Sequence, residues 1–208
     1  MNVLNQLKQH KIVAIIRGAN PNDVMDIVYA LQAGGIHAVE ITLNSENALE
    51  LIKSVFSKVK EGMLVGAGTV LNTTAAHAAM DAGAQFIISP SLDTDTIRVT
   101  KERGIVSIPG AYTATEIVKA HAAGADIVKV FPASSPQYIK DIGGPLSHIP
   151  LMPTGGVNVS NIRAFQQAGA VAFGIGSALV SSHEPVNDLY LKKLTASAAA
   201  FVQAISQQ

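Results

Sequence analysis

Lys129, within IVKVF (127–131), and Glu40, within AVEIT (38–42), are ionisable residues set in short β-branched apolar runs, where a charge is out of place. Alternation along a strand puts Lys129 on the same face as Ile127 and Phe131. A lysine withdrawn from water keeps more of its neutral amine, the form that attacks a carbonyl to make a Schiff base. The plainer reading is a lysine that snorkels to the surface. Glu40 can move protons whichever way burial and neighbouring charge set it, or it can pair structurally with a core lysine or Arg17. Together the two residues are hard to justify by stability, because buried ion pairs are poor stabilisers.

Two glycine-bearing segments follow, PTGGV at 153–157 and GIGSA at 174–178. Backbone N–H groups exposed by Gly155, Gly156 and Gly176, with the hydroxyls of Thr154 and Ser177, suit a phosphate; Ser177 is also placed to cap a helix behind it. Tight turns are the alternative use of such glycines. GAGTV at 66–70 sets two glycines and Thr69 where a substrate carboxylate could be received, or where a loop simply packs. The six histidines, at 10, 37, 77, 121, 148 and 183, show no HxH, HxxxH or HExxH spacing, which disfavours a metal site. A Gly-x-Ser-x-Gly elbow and a Walker-type loop are both missing.

These residues need elements to hold them. β-type runs at 12–17, 38–42, 63–66, 86–89, 106–110, 127–131, 150–154 and 172–176 alternate with helical stretches such as 22–33, 75–82, 113–123 and 160–168. AGG at 33–35 and AGA at 82–84, 123–125 and 168–170 end four of those helices with the glycine that a C-cap requires. Eight βα units in one chain predict a single (β/α)8 TIM barrel over residues 1–208, with the site at the C-terminal ends of the strands. An open Rossmann sheet is the lesser alternative, since IIRGANPND lacks the GxGxxG fingerprint.

Composition narrows the function classes. Of 208 residues, 48% are hydrophobic and only 14% charged, as in a folded domain rather than a disordered chain. Lys+Arg and Asp+Glu balance at 15 each, removing the electrostatic footprint of a nucleic-acid or anionic-membrane binder; any anion must be held locally. With no cysteine, neither a disulfide nor a thiol nucleophile is available, and with no apolar leader in MNVLNQLKQHK the expected location is cytoplasmic.

In order along roughly residues 10–180, VEITLNS, GAGTVL, ISPSLD, IPGAYT, VKVFPAS, MPTGGV and GIGSALV resemble the 2-keto-3-deoxy-6-phosphogluconate / 4-hydroxy-2-oxoglutarate aldolase family. The resemblance implies a class I aldolase of carbohydrate metabolism, of the Entner-Doudoroff type, that works without a cofactor as a homotrimer. It implies Lys129 as the Schiff-base lysine, Glu40 as general acid/base, Thr69 and Pro90 at the pyruvate end, and Phe131 packed over the Schiff base. It likewise implies Thr154, Gly155, Gly156 and Ser177, with Gly176 beside them, as the phosphate site. Thr42 and Asn44 fall in the substrate-binding stretch, but Asn44 stands where many members carry a carboxylate-reading arginine, and asparagine offers neither charge nor fork. Arg17 is the candidate to replace it. The implied reaction cleaves 2-keto-3-deoxy-6-phosphogluconate to pyruvate and glyceraldehyde 3-phosphate, with 4-hydroxy-2-oxoglutarate as a further substrate. The L-N-S pattern also resembles the phosphogalactonate branch. A phosphate-binding isomerase or epimerase, with Glu40 as base and Lys129 as charge stabiliser, and a non-catalytic sugar-phosphate binder are the alternatives.

Overall fold

The computed structural model describes residues 2–59, 62–182 and 184–206, so His183 lies outside the described residues. Helix α1 (Val3–His10) leads into strand β1 (Ile12–Ile16), a 3-10 turn (Pro21–Asp23) and α2 (Val24–Ala33). Then come β2 (Ala38–Thr42), α3 (Ala48–Lys58), β3 (Leu64–Gly68), α4 (Thr73–Asp81), β4 (Phe86–Ile88) and α5 (Thr94–Glu102). The second half contains β5 (Val106–Ile108), β6 (Gly110–Ala111), α6 (Ala114–Ala122), β7 (Val128–Val130), α7 (Pro136–Gly143), β8 (Leu151–Pro153), α8 (Ile162–Gln167), β9 (Phe173–Ile175) and α9 (Asp188–Ser206). Local chemistry explains many of the boundaries. Asn72 accepts from the Ala75 N–H and Thr113 forms a capping box with Glu116, while Gly35, Gly83, Gly124 and Gly169 take the positive φ expected of the four glycine-ended helices.

The eight expected strand regions all form, but they do not close into an eight-stranded barrel. Parallel pairing gives a six-stranded sheet, β5-β4-β3-β2-β1-β9, and a separate three-stranded sheet, β6-β7-β8, in a curled open α/β fold. Prolines account for both divisions. Pro109 splits the expected fifth strand into β5 and β6. At the other seam, Leu151 O accepts from Val171 N–H and Thr154 N–H turns back to Val130 O. Strand alternation therefore aims the nitrogen of Pro153 at β9, where proline has no hydrogen to give, and a lone bridge between Thr154 and Gly174 spans the gap.

Each strand is buried on both faces. The outer faces and the helices share one apolar cluster; the concave faces share another, of Val13, Ala38, Leu64, Phe86, Ile88, Val106, Ile108, Ile127, Met152 and Ala172. Leu7 of α1 closes its lower end, with Val3 and Leu4 packed alongside. Two residues further along the same faces the chemistry changes, because Ala38 is followed by Glu40, Ile127 by Lys129, Met152 by Thr154 and Ala172 by Gly174. The interior is thus apolar at the N-terminal ends of the strands and turns polar toward the C-terminal ends of β2, β7 and β8. Leu7→Ala should cost about 2–5 kcal/mol in urea denaturation, as for other large-to-small core changes. Turnover by the folded fraction should be unchanged, because Leu7 lies at the end of the interior remote from the polar groups.

Candidate active site

Glu40 comes from the middle of β2, its Cα in register with Ile15 of β1 and Gly66 of β3. Its side chain is 0% exposed, and neither carboxylate oxygen has a hydrogen-bond partner among the described residues. Burial pushes its pKa up, while the charges of Lys129 and Arg17 pull the other way. Gly68 makes room for it. A Cβ on Gly68 would lie 1.6 Å from Glu40 Oε1, so the glycine expected to receive a substrate carboxylate instead accommodates the protein's own.

Lys129 projects from β7, in register with Gly110 of β6 and Met152 of β8, and is 4% exposed. Its Nζ lies 5.1 Å from the centre of the Phe131 ring, which is itself 39% exposed and walls the opening. Among the described residues no carboxylate comes within 4.0 Å of the Lys129 ammonium or of the Arg17 guanidinium. The amine therefore influences Glu40 across a gap rather than through a contact pair.

Lys129 also lines a cavity of about 460 Å³ whose walls include Arg17, Phe131, Thr154, Gly155, Gly156, Gly176 and Ser177. Eight of the residues singled out in the sequence thus meet in one place, and two of them, Lys129 and Arg17, are close enough for their charges to act on Glu40, which is not itself part of that wall. Thr154 is buried, and its hydroxyl, which has no hydrogen-bond partner among the described residues, lies where a Cβ on Gly174 would stand 2.4 Å away. Among the described residues the N–H groups of Gly156, Ser177 and Ala178 donate to no protein acceptor. They are donors available to an anion.

Other expected residues stand elsewhere. Asn44 is exposed on the turn after β2 and is not part of the cavity wall. The Thr42 hydroxyl is paired with that of Ser45 at 2.9 Å, and Ser45 Oγ accepts from the Gly18 N–H, tying the ends of β1 and β2 together. Thr69 and Pro90 are half-buried at the ends of β3 and β4, also outside that wall. Thr69 takes φ +57°, a left-handed conformation that is strained for a β-branched residue. Ser177 caps no helix: Leu179 and Val180 N–H both donate to Gly176 O in a single turn, and α9 starts only at Asp188.

Sequence reasoning missed Asn161, whose Nδ2 donates to Gly156 O at 2.9 Å while its Oδ1 accepts from Asn158 N–H at 2.8 Å. Both ends of the amide are used to fix the glycine turn. The asparagines and serine that follow the glycine pair in GGVNVSN are the signal, since such residues bond to nearby backbone. It also missed Ile15, Val157, Asn158 and Ser182 in the wall. No three His, Asp or Glu side chains converge as a metal would require among the described residues, and no helix there is long and apolar enough to cross a membrane.

This geometry, a buried amine facing a buried acid beneath a set of anion donors, can be set beside known proteins. Residues 3–194 match the family model described as KDPG and KHG aldolase. A 2-dehydro-3-deoxy-6-phosphogalactonate aldolase of Escherichia coli (strain K12) is 36% identical over 196 residues, covering 93% of each chain. A KHG/KDPG aldolase of the same organism is 35% identical over 172 residues, 81% of this chain and 80% of that one. A solved structure described as native KDPGal superposes with a TM-score of 0.88 at 35% identity, covering 94% of each chain. The chain belongs to the KDPG/KHG aldolase family and is a carbon-carbon lyase.

Proposed function

We propose that this aldolase works through a Schiff base on Lys129, with Glu40 as the proton carrier. The observation that carries this is the juxtaposition itself: among the described residues, a buried lysine in the wall of the cavity and a buried glutamate, neither in an ion pair, close enough for the lysine's charge to act on the acid. The Lys129 amine attacks the C2 ketone of a 2-keto-3-deoxy-6-phospho sugar acid, and loss of water leaves an iminium. Glu40 takes the proton of the C4 hydroxyl, the C3–C4 bond breaks, and its electron pair moves into the iminium to give an enamine. Glyceraldehyde 3-phosphate departs. Protonation of the enamine carbon and hydrolysis of the iminium then release pyruvate, with no cofactor. Phe131 shields the adduct, and Thr69 and Pro90 border its pyruvate end. Thr154, the glycines at 155, 156 and 176, and Ser177 receive the phosphate, with unused N–H groups as the supporting feature. The enzyme acts as a cytoplasmic homotrimer, for which the exposed Tyr29, Phe56 and Leu189 offer apolar surface.

The substrate is assigned to the galactonate series ahead of its C4 epimer. Two relatives matched over more than nine-tenths of the chain carry the phosphogalactonate name, at 34% and 36% identity, and Asn44 stands in the turn where many members have arginine. With Asn44 turned away from the cavity, Arg17 in its wall takes the substrate carboxylate.

Borohydride reduction in the presence of pyruvate should add a stable mass to the peptide containing Lys129. Absence of any adduct excludes a Schiff base on Lys129. Steady-state kinetics on the two C4-epimeric substrates should give a kcat/KM about tenfold or more higher for the galactonate epimer; the opposite preference assigns the enzyme to the gluconate series. Arg17→Ala should lower kcat/KM about ten- to hundredfold, the range for losing a charged hydrogen bond, and wild-type kinetics in that variant would remove Arg17 from the site.

A further inference from the structure

We infer that Gly68 is the positioning residue for the proton carrier, its missing side chain being the slot that holds the Glu40 carboxylate. The inference rests on Glu40 moving the proton, as proposed above, and adds what fixes that group in place.

Glycine at this position has no backbone explanation. Gly68 ends β3 in ordinary parallel pairing, with its Cα opposite Thr42, and it lacks the left-handed φ that marks the turn glycines of this chain. Alanine would be allowed by the backbone. What excludes it is one neighbour: the three atoms nearest an added Cβ are Oε1, Cδ and Cγ of Glu40, at 1.6, 2.3 and 2.5 Å. Gly66 on the same face makes a different accommodation, because its Cβ would meet the ring of Phe86. β3 therefore yields space twice, once to the apolar interior and once to the acid.

The slot also fixes what the carboxylate meets. Glu40 is fully buried with both oxygens unbonded, so no hydrogen bond holds it in place. Its position is set by packing alone, between β1 and β3 and across from Lys129. A methyl group at residue 68 must drive the carboxylate more than an ångström out of the slot and so out of its present burial. Displacement of that size for a reacting group typically costs about a hundredfold in rate. Hydration would also relieve the burial that now holds the Glu40 carboxyl above the usual carboxylate range.

The test is Gly68→Ala in the full-length enzyme, with Glu40→Gln and Glu40→Ala as companions. The expected result is a kcat about a hundredfold lower, with the acid limb of the kcat profile moved to lower pH. A purely structural lesion would scale the profile without moving its limb. In thermal melts, Gly68→Ala should lower Tm in the wild-type background and cost little in the Glu40→Ala background, where the obstructing atoms are gone. If Gly68→Ala alone does not fold but the double variant does, the inference stands. It is overturned if Gly68→Ala keeps the wild-type kcat and pH profile, if its Tm loss is the same without Glu40, or if neither variant folds. Turnover by Glu40→Gln at the wild-type rate would instead refute Glu40 as proton carrier, while the Tm comparison would still test the slot.

Discussion

An acid buried without a partner is the constraint around which this interior is arranged. Removing a carboxyl group from water costs free energy unless hydrogen bonds or a counter-charge compensate, and Glu40 has neither in direct contact. The surroundings show how it is tolerated. The carboxyl is shifted toward its neutral form, cations on β7 and at the end of β1 offset part of the cost at a distance, and β3 gives up its side chain. A closer counter-ion would stabilise the fold more and lock the proton. With Lys129 beyond contact, neither group is tied up in an ion pair among the described residues, the arrangement expected where stability is traded for chemistry.

The cavity above is built on a second economy. The chain carries no net charge, and Arg17 is the one formal cation besides Lys129 among the residues that line the cavity. An anion held at its outer end would rely on backbone donors at Gly156, Ser177 and Ala178. Their directions are fixed by the Asn161 amide on one side and by the turn closed on Gly176 O on the other. Donors of this kind survive any change of side chain except to proline, which has no N–H, but they can be misaimed by a change in the turn.

Much of this was legible in the sequence, for identifiable reasons. Lys129 and Glu40 stood out because an ionisable residue in a β-branched run is anomalous, and all eight strand regions were marked by runs of that composition. The helix-ending glycines were readable because positive φ leaves so few alternatives. Closure of the sheet was not readable by counting units: it fails where a proline nitrogen faces the neighbouring strand, and which way Pro153 faces depends on register. The exposure of Asn44 was not readable, because its place in a motif says nothing of the turn it sits on. Gly68 looked like a receptor for substrate because sequence shows that a glycine makes room without showing for what.

The division of the sheet has a consequence for how the two buried ionisable groups are coupled. Glu40 belongs to the six-stranded sheet and Lys129 to the three-stranded one. No continuous ladder runs between them, so their spacing is set by the chain at Pro109, by single backbone bonds from Asp126 N–H to Ser107 O and from Val171 N–H to Leu151 O, by the bridge at Thr154 and by the apolar side chains packed below. Residues such as Phe86, Ile127 and Met152 act as shims between two plates. Exchanging one for a neighbour of slightly different volume would reset the acid-to-amine distance without touching either group, giving evolution or design an adjustment remote from the chemistry.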